Sequence, residues 1–272
     1  MEKIEEKVSI IIPNYNGRHL LEKNLPLLLK AIKRHNQQDE IIVIDNGSTD
    51  GSVEFLRNLF PVIKTIQLNR NLGFGEACNT GIRQSQNKIF ILLNNDVEVT
   101  ENFILPLLRH FSDRRIFSVS ALSLGSDNKI KKSPGKPVDI PYASGGYSAY
   151  DREKFLSLGG FHPIYSPFYF EDRDIGYKAL KTGWKNLLEP ESIVFHKGEQ
   201  TSGKINKKYV EYIKFRNRLV FYISCYENLL LTFIAVLKAV INTFFSFRWY
   251  SFSAFCWLYK NRARIFEKKH QK

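Results

Sequence analysis

Cysteine is scarce. The chain has three in 272 residues, Cys78, Cys225 and Cys256. They lie far apart, with neither a CxxC pair nor zinc-site spacing, so a disulfide scaffold and a cysteine-held metal are excluded, and free thiols in a reducing compartment are expected. The glycines do not form GxGxxG and no lysine closes a P-loop pattern, which removes the dinucleotide fingerprint and the Walker A loop. The first residues, Met1 to Lys7, are charged and lack the apolar core of a secretory signal, so the expected location is inside the cell. Acids are nearly missing from one end. Residues 206–272 hold 13 Lys and Arg against three acids, Glu211, Glu227 and Glu267, a net +10 of the formal +13. The remainder is close to neutral. That argues against a general nucleic-acid surface and for a specialised basic end, which carries no recognised nucleic-acid module.

What is present is an alternation of strand-like and helix-like segments. Val8–Pro13 reads as a buried strand, followed by a helix from about Leu20 to Arg34. Glu40–Asp45 is a second strand, then a helix over 52–60 that Ser48 or Thr49 can cap. Val62–Leu68 is a third strand, followed by a helix over 76–84, and Lys88–Leu93 is a fourth strand. Short polar links between such elements predict successive βαβ units in a parallel sheet. The later chain predicts a helix over 101–111, a strand over 116–124, a loop or hairpin over 125–141, and a strand over 148–150. A helix over 152–158, another from Glu171 to about Thr182, and a short strand Ile193–Phe195 ending on His196 complete it.

Three strand ends carry amides and carboxylates: Asn14 and Asn16, Asp45 and Asn46, Asn95 and Asp96. Open α/β sheets bind ligands beyond the carboxyl ends of their strands, so this row points to a nucleotide site. The stretch Ile91-Leu-Leu-Asn-Asn-Asp96 is central to it. A carboxylate there can hold a divalent cation against phosphate, and the competing reading is turn and cap chemistry. An aromatic run, Tyr165, Phe168, Tyr169 and Phe170, leads into Glu171-Asp-Arg-Asp174. That cluster is either an acidic first helical turn or a catalytic one. His196 is either a hydrogen-bonded structural histidine or a ligand.

Taken together, Val8-Ser-Ile-Ile-Ile-Pro-Asn-Tyr-Asn-Gly17, Ile42-Val-Ile-Asp-Asn-Gly-Ser-Thr-Asp-Gly-Ser52, Asn69-Arg-Asn-Leu-Gly-Phe-Gly75, Leu93-Asn-Asn-Asp96, Ala143-Ser-Gly-Gly146, Gly159-Gly-Phe161, Tyr169-Phe-Glu-Asp-Arg-Asp174 and His196 resemble the family 2 glycosyltransferases. The resemblance covers about residues 8–220 and is nearest the rhamnosyltransferase-like branch. It implies an inverting enzyme of the GT-A fold, an α/β architecture with a Rossmann-like, mostly parallel sheet flanked by helices, using a UDP- or dTDP-linked sugar. The implied nucleotide-binding residues are Pro13, Tyr15, Asp45, Asn71 and Asn95, with Asp45 accepting from the base. Asp96 would hold Mg2+ or Mn2+, with His196 completing the site, and Asp172 would be the general base. Gly145, Gly146 and Glu171 would meet the donor or acceptor sugar. Asn94 stands where the family's DxD pattern has Asp, leaving Asp96 the only carboxylate of that triplet. The implied acceptor is a glycan, lipid-linked, for a surface polysaccharide. Two rivals are a silent nucleotide-sugar-binding scaffold at the membrane and a sugar-nucleotide nucleotidyltransferase, although Asn14-Tyr-Asn-Gly17 is not the Gly-rich basic loop the latter needs.

The expected division is a catalytic unit over 1–205, with a nucleotide half (1–100) and an acceptor half (101–205), and a helical extension over 206–272. In that extension Leu229–Phe247 contains one charge, Lys238, and cations and aromatics flank it. The leading expectation is helices lying on an anionic inner membrane face, with a span or packing on the catalytic unit as alternatives. An oligomer is compatible with all three.

Overall fold

The structure is a computed structural model and describes residues 6–36, 38–125, 133–196, 206–225, 233–234, 236–237, 241 and 250–270. Its first half follows the alternation of the sequence. β1 (Val8–Asn14), α1 (Arg18–His35), β2 (Glu40–Asp45), α2 (Ser52–Leu59), β3 (Lys64–Gln67), α3 (Phe74–Gln84) and β4 (Ile89–Leu93) form βαβ units. β1 pairs in parallel with β2 and β4, and β2 with β3. These strands are apolar throughout because both faces are covered. Ile10 and Ile12 point to a layer with Leu21, Leu25 and Leu28 of α1. Ile11 points the other way, to Ala77, Cys78 and Ile82 of α3.

The second half comprises β5 (Val97–Val99), α4 (Ile104–Leu108), β6 (Ile116–Leu124), β7 (Val138–Ile140), β8 (Tyr147–Asp151), α5 (Arg152–Ser157), α6 (Glu171–Lys181) and β9 (Lys185–His196). The sheet runs β3-β2-β1-β4-β8-β6-β9-β5, with β7 on β9. Here the pairing is mixed: β8 runs antiparallel to β4 and β6, β5 and β7 antiparallel to β9, and only β6–β9 is parallel.

Several expected elements are corrected. The helix expected over 101–111 is one turn of α4 followed by a 3-10 turn over Arg109–Ser112, and β5 precedes it unforeseen. A three-residue strand shows too few alternations to be read. β9 is twelve residues long, not three. Glu189 and Pro190 disguised it, yet Glu189 is fully buried and held by His110 Nε2 at 2.5 Å and Arg109 at 3.3 Å. The cap of α2 is Gly51, not Ser48 or Thr49, and Asp50 accepts from Ser52 N at 3.1 Å. Part of the loop over 125–141 lies outside the described residues.

At the basic end the structure shows the packing alternative for the described helices. α7 (Lys207–Cys225), α8 (Tyr250–Lys260) and α9 (Arg262–His270) follow the sheet. Phe215, Leu219 and Val220 of α7 share a core with Ala254, Leu258 and Ile265 and with Ile164, Tyr165 and Phe170 of the catalytic unit. Spacings of four, 215 to 219 and 254 to 258, put these side chains on one face of α7 and of α8, and that face is spent on the protein rather than on lipid. Most of Leu229–Phe247 lies outside the described residues. Among those described, no helix is long and apolar enough to cross a membrane.

Candidate active site

The carboxyl ends of β1, β2 and β4 meet at a cleft of about 610 Å³, and amides stitch them together. Asn95 Nδ2 donates to Asn14 Oδ1 at 2.7 Å, and Asn14 Nδ2 donates to Asp45 Oδ2 at 3.1 Å. Asn24 of α1 donates to the Asn95 carbonyl at 2.7 Å. Asn46 Nδ2 donates to Asn71 Oδ1 at 3.0 Å, and Asn46 Oδ1 accepts from Leu72 N at 2.9 Å. Parallel strands present their ends on one edge, so a polar residue closing each strand delivers it to this network. Gly17 is needed here, because a Cβ would stand 2.2 Å from Asn95 Nδ2.

Pro13, Tyr15, Asn71 and Asn95 line the cleft, whereas Asp45 does not. Asp45 is fully buried behind the wall, and its Oδ1 accepts from Ser48 N at 2.9 Å.

Asp96 and His196 are brought together from opposite ends of the fold. β5 pairs antiparallel with β9 in the register Val97↔His196, which lays His196 beside the residue before β5. His196 Nε2 is 3.4 Å from Asp96 Oδ1, and both face the cleft. Asn94 lines it too. Its Oδ1 is buried and has no hydrogen-bond partner among the described residues, although Asn94 N donates to Gly146 O at 2.8 Å. A carboxylate and an imidazole on one cleft wall, with an orphaned amide oxygen on the same lining, are donor types that suit a divalent cation which also takes phosphate oxygens. Gly146 is packed so tightly on Asn94 that a Cβ would reach within 2.5 Å of Nδ2.

The other wall is the first turn of α6. Asp172 Oδ1 accepts from Arg173 N at 2.8 Å, and Oδ2 from Gly145 N at 3.4 Å. Burial raises its pKa above the ordinary value. Burial and the neighbouring Asp172 push Glu171 up to about 8. Glu171 Oε2 has no partner among the described residues. Two N–H donors favour the charged form of Asp172, whereas burial beside Asp172 disfavours that of Glu171.

Asp174 lies in the acidic first turn of α6, as the helical reading expects, and it also bonds well beyond that turn. Burial would raise its pKa, but the Lys268 and Lys178 charges outweigh this and lower it. Its Oδ1 meets Lys268 Nζ at 2.5 Å and accepts from Tyr165 Oη at 3.1 Å. It is an anchor for α9.

Lys214 of α7 also lines the cleft, 4.9 Å over the Tyr169 ring and 3.9 Å from Glu211. Nothing in the local sequence separates it from Lys207 or Lys208; only the packing of α7 singles it out.

The family model described as Glycosyl transferase family 2 matches residues 9–175, more than half the chain. The chain belongs to that family. This glycosyltransferase is 26% identical over 234 residues to the O-antigen chain rhamnosyltransferase RfbN of Salmonella typhimurium, covering 75% of this chain and 71% of that protein. It is 35% identical over 101 residues to the undecaprenyl-phosphate 4-deoxy-4-formamido-L-arabinose transferase of Proteus mirabilis, covering 36% of this chain and about a third (31%) of that relative's length. Its fold matches mannosyltransferase PcManGT from Pyrobaculum calidifontis in complex with GDP-Man and Mn2+, with a TM-score of 0.66 at 18% identity over 96% of this chain and 77% of that one. It also matches GalNAc-T7 with UDP, GalNAc and Mn2+, with a TM-score of 0.64 at 22% identity over 81% and 49% of the two chains. The architecture is thus that of GT-A glycosyltransferases.

Proposed function

We propose that this glycosyltransferase moves a sugar from a UDP- or dTDP-linked donor to a lipid-linked glycan acceptor with inversion, in surface polysaccharide synthesis. The observation that carries the reading is one cleft whose wall holds both the Asp96–His196 pair and Asp172. The names of the Salmonella and Proteus relatives support an acceptor of this class.

In direct displacement the acceptor oxygen forms a bond to the anomeric carbon, the bond to the diphosphate oxygen breaks, and the acceptor's proton goes to Asp172. Gly145 N–H orients that carboxylate. Protonated Glu171 donates to a sugar hydroxyl or ring substituent, and Gly145 and Gly146 keep the wall beside the sugar flat. Asp96, His196 and the Asn94 amide oxygen would hold Mg2+ or Mn2+. Bound there, the cation neutralises charge on the departing diphosphate. Pro13, Tyr15, Asn71 and Asn95 contact the nucleotide, and Asp45 supports them from behind through Asn14 and Ser48.

The membrane reading is retained for the basic end as a whole: exposed cations such as Arg262 and Arg264 on α9 suit an anionic inner leaflet while the packed face holds the catalytic unit.

The test is nucleoside diphosphate release across a panel of UDP- and dTDP-sugars, with undecaprenyl-linked acceptors and Mg2+ or Mn2+. Release from one donor, lost by at least about 1,000-fold in Asp172→Asn with nucleotide binding intact, is expected. Equal turnover by Asp172→Asn sinks the assignment of the base. Metal-assisted nucleotide binding without turnover on any acceptor favours the silent scaffold.

A further inference from the structure

The segment that delivers Asp172 to the cleft has an unusual backbone. Tyr169 and Phe170 are consecutive non-glycine residues with φ of +74° and +80°, and Phe170 is the residue on which α6 begins. Bulky side chains rarely adopt this left-handed conformation, and it persists only where the surroundings impose it. Phe168 and Tyr169 line the cleft just before Glu171 and Asp172. The bend therefore sets both the aromatic wall and the direction of the carboxylates.

What imposes it comes from α7. Asn217 is fully buried, and its Nδ2 donates to three carbonyls of the segment: Tyr165 at 2.7 Å, Phe168 at 2.9 Å and Tyr169 at 2.8 Å. The preceding Arg216 donates to the Ser166 carbonyl. Arg216 also donates to Asn217 Oδ1, from Nε at 2.9 Å and Nη2 at 2.7 Å, and its guanidinium lies 4.4 Å over Trp257 of α8. One amide thus gathers three carbonyls of the bend, and its own orientation is fixed by a stacked arginine. Neither residue lines the cleft.

We infer that Asn217 is a positioning residue for the transfer reaction: by clamping the left-handed bend at Tyr169–Phe170 it aims Asp172 and the aromatic wall, so the α7–α8 extension is part of the catalytic apparatus. This rests on Asp172 being the base. Without the clamp the bend relaxes toward ordinary backbone, and displacement of a reacting group by about 1 Å can cost 100-fold in rate. The strand-end wall is untouched by Asn217, so donor binding is spared.

The test uses the full chain with Asn217→Ala, Asn217→Asp and, as a matched control, Val210→Ala, which removes buried packing from α7 away from the bend. Asn217→Asp keeps the size and the acceptor for Arg216 but has no N–H to give the three carbonyls, so it reports on the clamp even where Asn217→Ala folds poorly. Expected is a kcat fall of about 100-fold in both Asn217 variants with donor KM within about threefold, against near-normal kcat in Val210→Ala. Hydrogen exchange should rise over residues 165–172 in the Asn217 variants only. Wild-type kcat in both Asn217 variants, or the same loss in Val210→Ala, overturns the inference. If wild type turns over no donor, the proposed function fails, and exchange still decides: unchanged protection over 165–172 refutes the clamp, and selective loss there upholds it.

Discussion

The two walls of the cleft are held by different means. The strand-end wall is self-contained: Asn14, Asp45, Asn46, Asn71 and Asn95 bond one another, all from the first hundred residues. The α6 wall is held from outside, by Asn217 and Arg216 at its entry and by Lys268 on Asp174 one turn further in. A nucleotide pocket can be built from strand ends that share an edge. A buried carboxylate kept at a raised pKa needs low-dielectric surroundings and a fixed backbone, and here later helices supply both.

This contrast can be broken most sharply at Lys268. It and Asp174 are each 1% exposed, so Lys268→Met leaves a buried carboxylate with only the looser Lys178 contact at 3.7 Å as its cation and should cost about 3–5 kcal/mol in denaturant unfolding. An unchanged midpoint would show that the α6 wall stands unaided. Next in size, Asp96→Asn should weaken metal-dependent nucleotide binding by about 10- to 100-fold, or about 1.4–2.7 kcal/mol, with little change in melting temperature. Calorimetric titration with and without Mn2+ separates these; a stability loss instead would make Asp96 structural.

Gly17→Ala drives a methyl into Asn95 and should cost about 1–3 kcal/mol, with nucleotide affinity falling alongside. An Asp172-type defect, turnover lost with binding kept, would mean that the walls are not independent. The smallest effect is at Glu171. Its folded pKa of about 8 lies above the ordinary 4.5, so between those values the folded protein binds more protons than the unfolded chain and stability declines as pH rises. Glu171→Gln should flatten that decline in melting temperature between pH 5 and pH 8, a range taken from the same shift. An unchanged slope would remove the shared proton from the α6 wall.

The same contrast explains what could be read without coordinates. Asn14, Asp45 and Asp96 each end an apolar run, so their convergence follows from parallel pairing alone, and β1 to β4 were legible with it. His196 beside Asp96 depends on the β5–β9 register, and both strands were obscured, one by its shortness and one by Glu189 and Pro190. Asp45 carried the right residue type at the right strand end, but its burial behind Asn14 depends on side-chain direction. Asp174 and Asp172 look equivalent in Glu-Asp-Arg-Asp, and a lysine 94 positions away separates them. At the apolar, basic end the sequence left packing as one alternative, because its match to Ile164, Tyr165 and Phe170 is a matter of shape, which periodicity does not encode.

The long reach of Lys268 bears on the order in which the molecule forms. Once residue 96 has been made, the strand ends have every amide and carboxylate they use on one another. The bend before α6 waits for Asn217, and the charge on Asp174 waits for Lys268, closures of 48 to 52 and 94 residues that non-local contacts make late. On the proposed assignment, a growing chain thus passes through a stage with a finished ledge for the nucleotide and Asp172 not yet aimed opposite it, so the means to hold a donor precedes the means to spend it.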